Sequence, residues 1–244
     1  MVYQLVFGCI QLKITIMAYP TIQGITSGAV GSRTTSHSIS IPGGAVPGIM
    51  LVLLIVEGEN TTLGYTGFEY IWNESVIIGG GTYTYKIYGM KGYYNGNAIS
   101  FTTSASVYSY YVAYTFSNAK YSSIAINVEG VTYPITNPDP PNCNSYENGD
   151  SIVIEGMVAF NYGSVITGSS TGFGSLTTQV CADSVGSIST AHGTFSGTSY
   201  DPSAMTSEDS LHGDTFTIII PTSTSDSGVG ILVANGRVSI YEPK

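Results

Sequence analysis

The sequence predicts an all-β protein: an antiparallel β-sandwich of jelly-roll or immunoglobulin-like type, built as two similar units in tandem or as one double sandwich. Three observations carry this. The abundant residues are Gly, Ser, Thr and Tyr, with 30 glycines and 19 tyrosines in 244 residues. The periodic stretches are short and bounded by Gly, Pro or Asn, as strands are. Helical periodicity is nearly absent.

The elements follow in chain order. Residues 1–17 are apolar but hold Lys13 and lack a basic leading segment, so they read as a poor signal peptide. They are an N-terminal arm or a mis-assigned start, with Met17 as the alternative first residue. Alternating stretches with one wet face occur at Ser38–Ile41, Thr82–Tyr88, Ser123–Val128 and Arg237–Tyr241. Near-continuous apolar runs at Ile49–Val56, Ile152–Phe160 and Phe216–Ile220 predict central strands buried on both faces. Turn signals at Pro42-Gly43-Gly44, Gly79–Gly81, Asn95-Gly96, Asn148-Gly149 and Asn235-Gly236 separate them.

One dense proline cluster, Asn137-Pro138-Asp139-Pro140-Pro141-Asn142, divides the chain near its middle. The expected organisation is therefore an arm at 1–17, a first unit at 18–136, a strand-free connector at 137–149 and a second unit at 150–244. Internal similarity supports duplication: Gly48–Val56 lines up with Asp150–Val158, and Thr66-Gly67-Phe68 with Thr171-Gly172-Phe173. Ala98–Ser106 lines up with Phe216–Thr224, and Tyr111–Asn118 with Val229–Gly236. Two unrelated β-rich halves can also be overlaid in this way, so the match leaves both readings open.

Composition narrows function. Charged residues are 9% of the chain and hydrophobic ones 43%, which excludes the disordered class. Seven scattered basic residues against sixteen acidic ones leave no basic face for phosphates, so no nucleic-acid partner is expected. The longest apolar run, Ile49–Val56, is far short of the roughly 20 residues that span a bilayer, and no membrane role is expected. Cys9, Cys143 and Cys181 form no CxxC pair, so they read as buried free thiols, a Cys143–Cys181 bridge being the alternative.

Catalytic signals are weak. Gly168-Ser169-Ser170-Thr171-Gly172 matches the nucleophile-elbow string, but no strand and helix flank it. His37, His192 and His212 are too far apart for a His-x-x-x-His metal pair. The acidic stretch holding Asp201, Glu208, Asp209 and Asp214 lacks an EF-hand pattern and reads as a solvated loop. Asn60-Thr61-Thr62 and Asn73-Glu74-Ser75 match the glycosylation sequon. No catalytic residue, metal or cofactor is predicted. Tyr83 with Tyr85, and Tyr108 with Tyr110, alternate along strands and are expected to line one surface, with Trp72 nearby. These five are the candidate contacts for a protein interface or a glycan; the competing reading is that they cover a half-exposed sheet.

Several motifs together carry a resemblance. They are Thr34–Ile39, Ile41-Pro42-Gly43-Gly44-Ala45-Val46-Pro47-Gly48, Thr66-Gly67-Phe68 with Trp72, Tyr83–Tyr88, Ile99–Ser106 and Tyr110–Tyr114, and in the second half the proline joint, Asp150–Phe160, Thr171–Phe173 and Phe216–Ile220. The chain resembles the small β-sandwich proteins that tailed bacteriophages encode among their head and tail genes, across roughly Ala18 to Tyr241. It departs from their Pro-x-Gly-Asp turn, having Pro47-Gly48-Ile49. The resemblance implies a non-enzymatic virion protein, on the outer capsid surface or else in the tail or a fibre. Its implied partners are the major capsid protein and further copies of itself, as a homotrimer or other cyclic oligomer, with host glycan as the alternative.

Overall fold

The computed structural model describes residues 12–14, 19–42, 48–58, 63–64, 67–78, 83–94, 99–160, 165–181, 186–207, 209–223, 229–234 and 237–241. A short strand β1 (Leu12–Ile14) opens it. The first half then runs through β2 (Thr21–Ala29), β3 (Thr34–Ile39), β4 (Gly48–Glu57), β5 (Leu63–Gly64), β6 (Phe68–Ile78), β7 (Tyr83–Tyr94), β8 (Ile99–Val107) and β9 (Ser109–Ser117). The second half contains β10 (Ala125–Ile135), β11 (Cys143–Phe160), β12 (Ile166–Gly168), β13 (Thr177–Val180), β14 (Gly186–Tyr200), β15 (Thr206–Ser207) and β16 (Leu211–Pro221). Last come β17 (Val229–Ala234) and β18 (Arg237–Tyr241).

Two five-stranded antiparallel sheets form the body, in the orders β2-β9-β4-β7-β6 and β10-β16-β11-β14-β13. The apolar runs at 49–56 and 152–160 are their central strands, as their continuous hydrophobicity predicts. In β4 the odd residues Ile49, Leu51, Leu53 and Ile55 pack toward the second sheet, against Ile152, Ile154, Phe216, Ile218 and Ile220. The even residues Met50, Val52, Leu54 and Val56 pack under the small outer sheet β3-β8-β5, with Phe101 and Ile39. On the far side of the second sheet, Met157, Ala159 and Leu211 lie under β12 and the 205 region, and Val153 and Ile219 under Phe173, Phe195 and Tyr200.

The two halves share one topology. If β2, β4, β6, β7 and β9 are matched with β10, β11, β13, β14 and β16, both sheets have the same strand order, and β5-β8 corresponds to β12-β15. The turn glycines agree as well: Gly67 (φ +82°) and Gly172 (φ +92°) each put their carbonyl against the strand glycine Gly92 or Gly193. In the packed pair, β13 lies over β2 and β9 while β10 lies over β6, an antiparallel stacking with pseudo-two-fold character.

This topology corrects parts of the internal alignment. Gly92 pairs with Met50 and Gly193 with Val153, so Met50 corresponds to Val153. Matching Gly48 to Asp150 is off by one residue, and in a strand one residue exchanges the two faces. Residues 216–221 of β16 belong with β9, not with Ala98–Ser106, and β17 has no counterpart among the described residues of the first half.

The expected boundaries shift too. β10 pairs with β16 from Ala125 to Val131 and, past an irregularity, again at Ile135, so residues 125–135 belong to the second sheet rather than to a first unit ending at 136. The proline segment 138–142 is strand-free, but Cys143–Asp150 already lies in β11, and the segment joins two strands of the same sheet. The real crossover is 118–124, which contains a 3₁₀ turn at Tyr121–Ser123. β17 and β18 join β1 in a separate three-stranded sheet instead of completing the second sandwich, and β1 thereby pairs within its own chain.

Candidate functional site

The residues expected to form an aromatic surface are mostly inside. Tyr85 and Tyr110 are fully buried, and Trp72 is 7% exposed. Tyr85 stacks on Phe160 across the seam between the sheets (centroids 4.9 Å), and Trp72 packs on Phe216 (5.5 Å). The period-two reading of Tyr108 and Tyr110 places them correctly on one face, but that face is covered by the second sheet. Tyr108 is half-buried, with the Arg33 guanidinium 5.4 Å from its ring centre, and the side chain of Tyr83 lies outside the described residues.

The exposed aromatic surface forms instead where the crossover turn leaves the seam. Tyr93, 67% exposed, stacks on Tyr121 with ring centres 4.7 Å apart. Lys91 lies 4.6 Å from the Tyr121 ring centre and donates to the Tyr121 carbonyl at 2.9 Å, while the Tyr121 hydroxyl donates to the Lys91 carbonyl at 3.3 Å. Burial first, and the charge of Glu69 second, push the Tyr121 phenol up to about 12. Beside this pair, Lys120 bonds Glu147 at 2.6 Å, Ser123 donates to the same carboxylate, and Tyr146 is 78% exposed. The rings are thus held by a tethered lysine, and the flanking charges are paired, which leaves a rigid amphipathic patch. The sequence signal was available: Tyr93 stands two residues before the Asn95-Gly96 turn signal, and Tyr121 stands between the two halves, positions where a strand face runs past its cover.

A second concave feature follows the β10 edge. A cleft of about 360 Å³ is lined by Glu129, Val131, Asp139, Pro141, Asn142 and Asp201, among others. Thr215 Oγ1 bridges the carbonyls of Glu129 and Asp139 at 3.2 Å each, and Asn127 Nδ2 donates to the Asn142 carbonyl at 2.6 Å, which fixes the proline segment as its wall. Carboxylates and an amide around an open cleft offer acceptors to a polyhydroxylated ligand.

The remaining candidates are structural. Ser170 is 4% exposed; its hydroxyl bonds the Ser203 carbonyl and its N–H donates to Glu155 Oε1 at 2.7 Å, so it is no exposed elbow nucleophile. His37 is buried, and burial lowers its pKa. Thr103 donates to the Ala105 carbonyl, so it accepts from His37 Nε2–H, and Ser109 donates to Nδ1. Asp214, expected in a solvated loop, is instead a buried residue of β16. Cys143 and Cys181 are buried thiols outside any disulfide. Of the sequons, Asn73 lies exposed in β6 and Asn60 falls outside the described residues. Among the described residues no three metal-ligating side chains converge, and no helix is long and apolar enough to cross a membrane. No protein-family model, curated protein or solved structure matches this chain.

Proposed function

We propose that this is a structural protein of a tailed-phage virion, a capsid decoration (cement) protein that binds the assembled shell through protein–protein contacts and acts without catalysis. The observation that carries the reading is the exposed Tyr93 ring stacked on Tyr121 beside the crossover. Tyrosine-bearing surfaces whose charges are already paired resemble protein interfaces, since little desolvation or ordering cost remains at docking. A low-charge body suits repeated contacts in a lattice, where copy number multiplies a small interface. The test is cryo-electron microscopy of purified particles. Density for this chain at symmetry-related positions on the shell supports decoration. A few copies at the tail or a fibre tip, or none on the particle, refute it.

The β10 cleft favours a second reading, a tail or head-fibre module that binds host glycan through Asp139, Asn142 and Asp201. On this reading purified protein binds a glycan array, and Asp139→Asn with Asp201→Asn abolishes the binding. Retention by the double variant refutes it.

A further inference from the structure

Asp214 is 5% exposed and lies on the seam face of β16, with its Oδ2 lacking a hydrogen-bond partner. Across the seam stands β6, whose Glu74 accepts from the Trp72 indole N–H at 3.0 Å. Trp72 packs on Phe216, which follows Asp214 by two positions on the same face of β16. Two residues before Asp214 in β16 stands His212. The other neighbours are uncharged: Asp214 pairs with Gly130 of β10, where an added Cβ would sit 3.6 Å from Oδ1, and with Val158 of β11. Glu129 lies on the opposite face of β10, in the cleft. Nothing cationic thus compensates a charge on Asp214 from β6, β10 or β11.

We propose that Asp214 and Glu74 form a proton-operated joint between the two sheets: a proton held on Asp214 keeps the β6–β10 side of the seam closed, and releasing it loosens that side. Closure raises the Asp214 carboxyl from 3.8 to about 7, through burial first and the Glu74 charge second. Water entering an opened seam returns it toward its ordinary value. The closed state therefore binds the proton more tightly, and the opening equilibrium rises about tenfold per pH unit between about 4 and about 7, then levels off.

Trp72 is the one tryptophan of the chain and touches both sides of the joint, so it reports directly. The experiment uses the full chain, following tryptophan emission from pH 5 to 9 and amide exchange in β6 and β10, corrected for intrinsic rates. Expected are a single red shift centred near pH 7 and exchange that rises tenfold per unit below it. Asp214→Asn abolishes both, Glu74→Gln moves the midpoint to lower pH, and His212→Gln leaves it in place. A flat wild-type profile, a transition that survives Asp214→Asn, or one lost with His212→Gln overturns the proposal. If Asp214→Asn does not fold, an unmoved midpoint in Glu74→Gln overturns it equally.

Discussion

Replacing Glu155 by Gln should stabilise this protein at alkaline pH and do nothing at acidic pH. Glu155 is fully buried at the middle of β11; Oε1 accepts from Ser170 N–H, while Oε2 has no partner. Its cross-strand neighbours are Ala191 on β14 and Thr217 on β16, and Thr217 Oγ1 is likewise buried and unpartnered. Directly paired side chains of one face have Cβ atoms roughly 5 Å apart, so these uncharged neighbours enclose the carboxyl. Gln keeps the carbonyl oxygen for Ser170 and cannot ionise, so it never leaves a charge on the buried, unpartnered end of the side chain. An unsatisfied buried neutral group costs about 1–3 kcal/mol and a charged one more, so a gain of about 2 kcal/mol is expected where the wild-type carboxyl is ionised.

The pH dependence follows from the direction of the shift. Burial raises the Glu155 pKa, so the folded chain holds a proton that the unfolded chain releases. The stability this proton contributes is present at low pH and is lost as pH rises through the folded value. At pH 4 the wild-type carboxyl is protonated and as neutral as the amide, and wild type and Glu155→Gln should match. At pH 8 the variant should melt about 4–8 °C higher, at about 2–4 °C per kcal/mol for a chain of this size. Scanning calorimetry at both pH values decides it. An unchanged or lower Tm at pH 8, or an equal gain at both, refutes the reasoning.

Three further outcomes are expected. A Cβ on Gly156 would sit 2.5 Å from the Ser189 carbonyl and 2.4 Å from the Phe216 ring, so Gly156→Ala should cost about 1–3 kcal/mol, read as a lower urea midpoint with unchanged slope. His37 and His192 are both held neutral by burial, so stability falls as pH drops below 6.5 through their unfolded values; His37→Gln should flatten that acid limb in pH-resolved urea melts. Burial pushes the Cys143 thiol up to about 11, so iodoacetamide at pH 8 should leave Cys143 and Cys181 unmodified in the native chain and alkylate both in urea, as peptide mass spectrometry reads.

Much of the fold was legible because hydrophobic runs and turn residues act locally. Ile49–Val56 has no polar residue, so only a position with neighbours on both sides and cover on both faces can hold it. What lay beyond the sequence is which face meets which sheet. Tyr85 and Tyr110 look like a wet aromatic stripe because Tyr suits half-exposed strands, yet the seam buries them against Phe160 and Gly186. Ala125–Ile135 reads as the end of the first half because the prolines follow it; its membership of the second sheet is decided by pairing with residues 211–219, about ninety positions away. The exposed pair Tyr93 and Tyr121 depends on the same long-range packing.

The two halves share a strand order but divide the physical burden unequally. At the centre of the first sheet's outer face, Val52, Met90 and Ala113 pair in a fully buried apolar row. The corresponding row of the second sheet is Glu155, Ala191 and Thr217. Asp214 likewise occupies the position that Tyr110 fills in the first sheet, and His192 the position of Lys91. Buried polar groups without partners each cost stability, and the second half concentrates them at Ser151, Glu155, His192, Asp214 and Thr217. A free second sheet would sustain that load poorly. Its seam face is covered by Leu51, Leu53, Tyr85, Val112 and Tyr114 of the first sheet, so the apolar half stabilises the polar one. Loosening the seam should therefore unfold the second sheet before the first, and hydrogen exchange in weak denaturant should show β10, β11 and β16 opening at lower free energy than β4 and β9. The reverse order would refute this division of labour.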